Sequence, residues 1–537
     1  MRNEDILNRT ALTDFLLKTS SYPHHPESVE HIQTHASDVF IASPYVYKVK
    51  KPVDFGFLDF TTLEKRKYYL EQELVLNRRL TSGIYLEVLE ISLKGSRYTF
   101  GVGDKTVEYA LLMKELPREY FLKTLLSESK VSKNDFNDIA LKLTRFYNSQ
   151  SPDPRVCAYG DPENIKRDVY ESISLSRDFT GKTVSDPALS AVEFYNDRFF
   201  EIKSGLFRDR MEGNFIKDCH GDLHLEHINI RPEGINIYDC IEFNERFRYI
   251  DIASDTAFLA MDLDYNGYGG FARHFISRVS ELMPDKGIYR LLDFYKCYRA
   301  LVRGKVLSIK AYEPEVPDSI REQALQNAKR YYKLALTYAL LGSRPSLLVT
   351  CGSIGTGKST LANNVSNELS CQVISSDALR KEKAGSEPVD RHYDAYESGL
   401  YSKEITEDTY AELALRGIQI VNSGECAVLD ASFSKQKWRE LIKCSATKHN
   451  IPVYFIQTLA PISVVRERLL QRELMGGSVS DGRLEILDRF TRDFEEPREL
   501  VGWNLIKVDT TKSEQEQIMY LFKRLVHINT ETEHEFG

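Results

Sequence analysis

The chain has 537 residues, more than one hydrophobic core organises, so two or three domains are expected. Its 42% hydrophobic and 28% charged residues match a globular protein, and a formal charge of −8 excludes a global basic field that would draw it to nucleic acid or membrane. The eight cysteines stand singly, at 157, 219, 240, 297, 351, 371, 426 and 444, with no C-x-x-C pair, so no cysteine zinc site or disulfide framework is expected. Residues 1–19 lack a leader's apolar core and no run is long enough to span a bilayer. These features predict a cytoplasmic protein with no membrane partner.

Residues 5–18 have a helical apolar rhythm, through Ile6, Leu7, Leu12, Phe15 and Leu16, and the Pro-, His- and Ser-rich stretch 20–28 reads as a loop. Segments 40–42 and 45–50, joined at Ser43-Pro44, predict a hairpin. A charged helix is expected over 62–80, then strands over 85–93 and 97–116, with Tyr109 to Met113 apolar enough for an inner strand. Helices follow over 134–147 and through much of 150–215. A strand–loop–strand covers 216–243, and 285–340 is mostly helical, with Phe294, Tyr295, Tyr298, Leu301, Val302 and Val306 as its apolar stripe. Beyond a junction at 343–346, strands and helices alternate at 347–351, 359–369, 372–375, 405–422, 426–430, 434–447, 452–458, 461–472, 483–493 and 504–508. That alternation predicts a doubly wound parallel sheet.

Two constellations carry chemistry. In the first half, His220-Gly221-Asp222 lies between strands, and a second strand ends at Asp239, the layout of a kinase catalytic loop followed by a metal-binding Asp. Asp222 would stand near an acceptor hydroxyl and Asp239 near Mg2+. Lys48 would hold phosphates and Glu73, on the next helix, would hold Lys48; Lys50 shares its strand face and is the alternative. Asp251 and Asp255 read as braces for the loop.

In the second half, Gly352-Ser353-Ile354-Gly355-Thr356-Gly357-Lys358-Ser359-Thr360 follows an apolar strand and opens a helix, fitting G-x-x-x-x-G-K-[ST]. Glycines let successive amides face a phosphate, Lys358 reaches the β- and γ-phosphates of ATP, and the Ser359 hydroxyl meets Mg2+. Asp377, after the second strand, is the candidate base for an acceptor hydroxyl, and Arg380 the candidate grip on an anionic part of the acceptor. Asp430 ends an apolar strand, as a carboxylate of the Mg2+ shell would. Arg466, Arg468 and Arg472 precede Gly476-Gly477-Ser478, a pattern suited to a lid closing on phosphate. Asp509-Thr510 would border the adenine.

Residues 352–360, the Ser-Ser-Asp-x-x-Arg-Lys run at 375–381, Leu429-Asp430-Ala431-Ser432-Phe433 and the arginine-rich helix resemble the small P-loop kinases over roughly 345–530. That group includes polynucleotide 5′-hydroxyl kinases, zeta-toxin-type sugar-nucleotide kinases, gluconate kinases and chloramphenicol phosphotransferase. The resemblance implies Asp377 as the acceptor base and lid arginines as phosphate clamps. The first half resembles the aminoglycoside phosphotransferase/choline-kinase branch of the protein-kinase-like fold. The whole chain resembles bacterial proteins described as bifunctional aminoglycoside phosphotransferase/ATP-binding proteins.

Two positions depart from that pattern. His227 stands five residues after Asp222, where the family has a metal-binding Asn, the nearest Asn being Asn229, and no glycine occurs between residues 31 and 47. Imidazole is a poorer Mg2+ ligand than oxygen. The first half therefore reads either as an active kinase or as a binding or regulatory module.

The expected architecture is an N-terminal helix and loop (1–30), a mixed α+β protein-kinase-like domain (31–340) and an α/β P-loop kinase domain with a doubly wound parallel sheet (345–530). The expected function is ATP- and Mg2+-dependent transfer of the γ-phosphate to a hydroxyl of a small metabolite, sugar or nucleotide-sugar. The alternatives are a nucleic-acid 5′-hydroxyl kinase, with Arg380, Lys381, Lys383 and Lys435 lining a basic channel, or a nucleotide-gated regulatory protein.

Overall fold

Period-two alternation in residues 37–50 sends Phe40, Ala42, Tyr47 and Val49 to one face of a sheet, where they pack with Leu12, Leu16, Tyr22, Ile91 and Ala110. Lys48 and Lys50 therefore share the other face. The structure is a computed structural model and describes residues 3–313, 316–383, 399–475, 484–500 and 504–531. Its internal contacts divide the chain into two units, Met1–Ile165 with Gly205–Ile288, and Lys166–Ser204 with Tyr289–Gly537.

The first unit contains a six-stranded antiparallel sheet of β1 (Glu30–Gln33), β2 (Ser37–Ala42), β3 (Tyr45–Lys50), β4 (Tyr85–Lys94), β5 (Arg97–Phe100) and β6 (Lys105–Lys114), in the order β1-β2-β3-β6-β4-β5. β6, apolar at its centre, is an inner strand. The helix Leu63–Asn77 is N-capped by Thr62, whose hydroxyl accepts from the Lys65 amide. It packs Leu70 against Ile84, Tyr85 and Leu111.

Two short pairs follow. β7 (Ile216–Asp218) and β10 (Tyr249–Asp251) flank β8 (Ile228–Arg231) and β9 (Gly234–Ile237), and β7 pairs with β10 as β8 pairs with β9. Next comes the helix Ile252–Tyr265, buried on nearly every side. Arg210 joins this region. Its guanidinium donates to both Asp251 oxygens at 2.8 Å and to Asp285 at 2.5 Å, with all three side chains buried.

The second unit contains the parallel sheet that the alternation predicts: β11 (Leu347–Cys351), β12 (Gln372–Ser375), β13 (Ala427–Asp430), β14 (Val453–Leu459) and β15 (Leu505–Asp509), ordered β12-β13-β11-β14-β15. All five residues of β11 are buried, as a central parallel strand requires. Leu347, Val349, Leu429 and Phe455 pack beneath Leu413, Ile418 and Ile442 from flanking helices. Chain order reverses beside β11, which places a ligand crevice at the carboxyl ends of these strands.

The same unit holds the helix Asp318–Leu341. Tyr332 donates to Ser176 at 3.0 Å, and the Asn529 amide donates to the Tyr338 and Ala339 carbonyls at 3.0 Å each. Helices Ser376–Lys383 and Glu514–Glu531 and strand β1 were not among the predicted elements. Among the described residues, no helix is long and apolar enough to cross a membrane.

Removing one partner of a buried ion pair strands the others in a low-dielectric interior. Arg210→Ala is expected to destabilise the first unit by about 3–5 kcal/mol. Faster amide hydrogen exchange across Ile252–Tyr265 measures that loss.

Candidate functional site

The phosphate loop is shaped by its neighbours. Gly352, Gly355 and Gly357 all have positive φ. A Cβ on Gly352 would stand 2.7 Å from Thr458 Oγ1 and 2.8 Å from the Thr458 carbonyl oxygen. The Gly352 amide donates to the Ser432 carbonyl at 3.0 Å. The Thr356 hydroxyl meets Thr458 Oγ1 at 2.7 Å, and Thr510 Oγ1 donates to the Thr356 carbonyl at 2.8 Å. Thr510 thus braces the phosphate loop, a role its expected place beside the adenine did not include. Thr458 was missed by sequence reasoning, because its only signal is its place at the end of a neighbouring strand.

Lys358 folds onto its own loop, donating to the Ser353 carbonyl at 2.7 Å. Burial lowers its pKa, against the opposing pull of Asp430 and then Asp377; Arg472 adds to the lowering. The register explains part of this grouping, since Asp430 pairs with both Thr350 and Ser375 across adjacent parallel strands. Thr350 donates to Asp430 Oδ1 at 3.2 Å.

Asp377 lies in the first turn of the helix Ser376–Lys383, where Arg380 donates to it at 3.3 Å. The Arg380 guanidinium lies 4.9 Å from the Tyr401 ring centroid. The stretch after Asp430 is held by Tyr410, whose hydroxyl accepts from the Phe433 amide and contacts Ser432 Oγ, each at 3.2 Å, and by buried Arg439, which donates to the Phe433 carbonyl at 2.7 Å. Sequence reasoning did not find Tyr401, Tyr410 or Arg439.

The arginines of the helix Ile462–Met475 separate in role. Arg466 forms an exposed pair with Asp488, Arg468 donates to Thr510 Oγ1 at 3.1 Å and to its carbonyl at 2.5 Å, and Arg472 acts on Lys358. The glycine-rich stretch 476–478 lies outside the described residues.

Do these residues fit a nucleotide? Ser353 Oγ is buried with no hydrogen-bond partner among the described residues. The Gly352 cradle admits no side chain, and the helix Lys358–Leu369 starts at the loop. An unpartnered hydroxyl, a lysine and a helix start fit a triphosphate. The exposed Ser359 hydroxyl and Asp430 are oxygen donors of the kind Mg2+ takes.

The first unit brings its predicted residues together. Lys48 donates to Glu73 at 2.7 Å and to Asp239 at 2.8 Å, while Lys50 donates to the other Glu73 oxygen at 2.9 Å and also bonds Glu242. Burial alone would lower the Lys48 pKa, but Asp239 and then Glu73 raise it well above the usual range. Burial would raise the Glu73 pKa, and the two ammonium groups hold it down instead. Three carboxylates surround two lysines, and burial pushes Glu242 up. Lys50 is 1% exposed and lies 4.6 Å from the Phe60 ring centroid.

The His-Gly-Asp loop hangs from one helix. The amides of His220 and Gly221 donate to the two oxygens of Asp255 at 3.1 and 2.9 Å, Tyr147 donates to Asp255 at 2.8 Å, and the Leu225 amide donates to Asp262 at 3.0 Å. Asp255 therefore braces the loop, and Asp262, two turns on, does the same without having been singled out. Asp251 caps the helix and binds Arg210. Asn229 donates to the Pro117 carbonyl at 3.2 Å. His227 contacts Asp222 through Nδ1 and Asp239 through Nε2, and burial, then His224, lowers its pKa to about 4.

Residues 347–497 match the AAA_33 family, an AAA domain. The chain is 27% identical over 454 residues to an uncharacterized protein of Mycobacterium tuberculosis (strain ATCC 25618 / H37Rv), covering 84% of this chain and 88% of that protein. An uncharacterized protein of Mycobacterium bovis (strain ATCC BAA-935 / AF2122/97) matches with the same figures. Among solved structures, a gluconokinase from Sinorhizobium meliloti 1021 is similar at 20% identity and a TM-score of 0.26, over 34% of this chain and 93% of that chain. Chaetomium thermophilum Kti12 in complex with ADP-AlF3 is similar at 18% identity and a TM-score of 0.26, over 32% and 95%. The family match and the phosphate loop make residues 347–497 a P-loop nucleotide-binding domain.

Gly352→Ala forces a Cβ against the Thr458 backbone at a positive φ. It is expected to destabilise the second unit by about 1–3 kcal/mol. Trp438 belongs to that unit, so urea unfolding followed by tryptophan fluorescence reads the shift.

Proposed function

We propose that the protein is an ATP- and Mg2+-dependent phosphotransferase whose second unit moves the γ-phosphate to a hydroxyl of a small metabolite, a sugar or a nucleotide-sugar. The observation that carries this reading is that Lys358, half-buried and folded onto the Ser353 carbonyl of the phosphate loop, feels two carboxylates at once, Asp430 and Asp377. A lysine and a metal-side carboxylate serve the phosphates, while a second acid serves the acceptor.

In this reading the amides of the loop beyond Gly352, whose own amide is bonded to Ser432, hold the phosphates, and Lys358 leaves the Ser353 carbonyl to take the β- and γ-oxygens. Asp377 orients or deprotonates the acceptor hydroxyl. Arg380, which now donates to Asp377, holds an anionic part of the acceptor. Arg472, electrostatically beside Lys358, meets charge developing on the transferred group, and Arg468 keeps Thr510 under the loop. Ser359 and Asp430 would hold Mg2+, which would supply charge neutralisation at the phosphates.

Burial favours a small acceptor over a nucleic-acid end. Of the four cations suited to a basic channel, Arg380 is 7% and Lys381 1% exposed, Lys383 donates to the Asp408 carbonyl, and Lys435 lies 3.5 Å from Glu495.

For the first unit, a protein-kinase-like module of the aminoglycoside phosphotransferase branch is the reading that the Lys48–Glu73 and Lys48–Asp239 contacts support, with Lys48 as the phosphate lysine. The imidazoles beside Asp222, at 3.4 and 3.6 Å, favour a binding or regulatory role for it over turnover.

Labelled-phosphate transfer from ATP to a panel of sugars, nucleotide-sugars, aminoglycosides and oligonucleotides tests the assignment. Lys358→Ala is expected to lower transfer by about 10²–10³-fold. Asp377→Asn is expected to lower kcat by about 10²–10⁴-fold, with the KM for ATP little changed. Transfer that survives Lys358→Ala but is lost in Asp222→Ala would move the activity to the first unit.

A further inference from the structure

The transfer proposed for the second unit uses neither His224 nor His227, yet both are packed against Asp222. Asp222 Oδ2 lies 3.4 Å from His224 Nε2 and 3.6 Å from His227 Nδ1. One ligand-type atom from each of the three residues falls within 4.8 Å of the others. Two donors bound at about 2.0–2.1 Å in tetrahedral geometry stand ~3.4 Å apart. Two of these separations approach those of a coordination shell; His227 Nδ1 also donates to the Asp222 carbonyl at 2.9 Å, His224 Nδ1 accepts from the Glu226 amide at 3.3 Å, and the two rings lie 3.8 Å apart, so an ion enters by turning both imidazoles off these contacts.

The surroundings add two features of a metal centre. His227 Nε2 is 3.5 Å from Asp239 Oδ2, so a carboxylate stands behind the imidazole and fixes its orientation. The segment is held at Gly221 by Asp255 and at Leu225 by Asp262, so Asp222 and His224 lie between two anchored amides. The donor types then select the ion. Two imidazoles and one carboxylate suit Zn2+ and its transition-metal neighbours, whereas Mg2+ favours an all-oxygen set.

We propose that Asp222, His224 and His227 form a three-ligand site for a divalent transition-metal ion of the Zn2+ class in the first unit, with Asp239 orienting His227. Three protein ligands leave one coordination position for water or a bound ligand. An ion held here occupies the Asp222 carboxylate and so withdraws it from duty as a base. This inference does not depend on the transfer assigned to the second unit.

The test uses full-length protein stripped with EDTA and free of nucleotide. Calorimetric titration with Zn2+ is expected to show one ion per chain, bound at least about 100-fold more tightly than Mg2+. Co2+ is expected to give ligand-field bands without thiolate-to-metal charge transfer, which separates this site from the eight cysteines. His227→Asn and His224→Asn should each abolish stoichiometric binding, and Asp239→Asn should weaken it by about 10–100-fold. Circular dichroism in EDTA identifies any variant that fails to fold, and the other histidine variant then decides. A thiolate band, Zn2+ binding unchanged in the folded histidine variants, equal affinity for Zn2+ and Mg2+, or no Zn2+ binding by the wild type would each overturn the proposal.

Discussion

The tight turn after β11 is the constraint on which the second unit's site depends. A buried strand must turn into a helix within six residues while leaving the amides beyond Gly352 for a ligand. Glycine at 352 is required because the Thr458 backbone leaves no room for a Cβ, and Thr356, Thr458 and Thr510 fasten the turn from two neighbouring strand ends. Since all these strands run parallel, their carboxyl ends reach the same level. That common level brings Thr350, Ser375 and Asp430 into one row beside Lys358.

The first unit groups carboxylates and lysines by different means. Its sheet is antiparallel, and its charges meet across the space between β3 and the helix Leu63–Asn77, where one buried glutamate serves two lysines. Three acids against two ammonium groups leave an excess of negative charge, relieved where Asp239 remains 40% exposed to water. The loop carrying Asp222 owes its shape to Asp255 and Asp262 on a single buried helix. Carboxylates that brace and carboxylates that face the opening are thus distinct sets within a few residues of sequence.

Burial also changes how charges near Asp377 are understood. Arg380 and Lys381 follow it in sequence as an obvious basic patch, but both are enclosed, Arg380 beside the Tyr401 ring. Enclosed cations act on a group brought to them, not on a long polyanion passing over a surface. The three arginines of the next basic helix divide between a surface pair, a brace for Thr510 and the field at Lys358.

What the sequence determined by itself was whatever depends on local periodicity and spacing. Strand–helix alternation after residue 347, the hairpin at 40–50, the shared face of Lys48 and Lys50, and the phosphate loop with its helix were all legible, because each is set by neighbours a few residues away. Tertiary structure alone decided the rest. Lys48 reaches both Glu73 and Asp239 while Lys50 turns to Glu242, Thr458 and Thr510 brace a loop more than a hundred residues earlier, and His227 meets Asp222 and Asp239 together. Those contacts join residues far apart in the chain, and burial and strand register, which no local pattern encodes, select the side chains that meet.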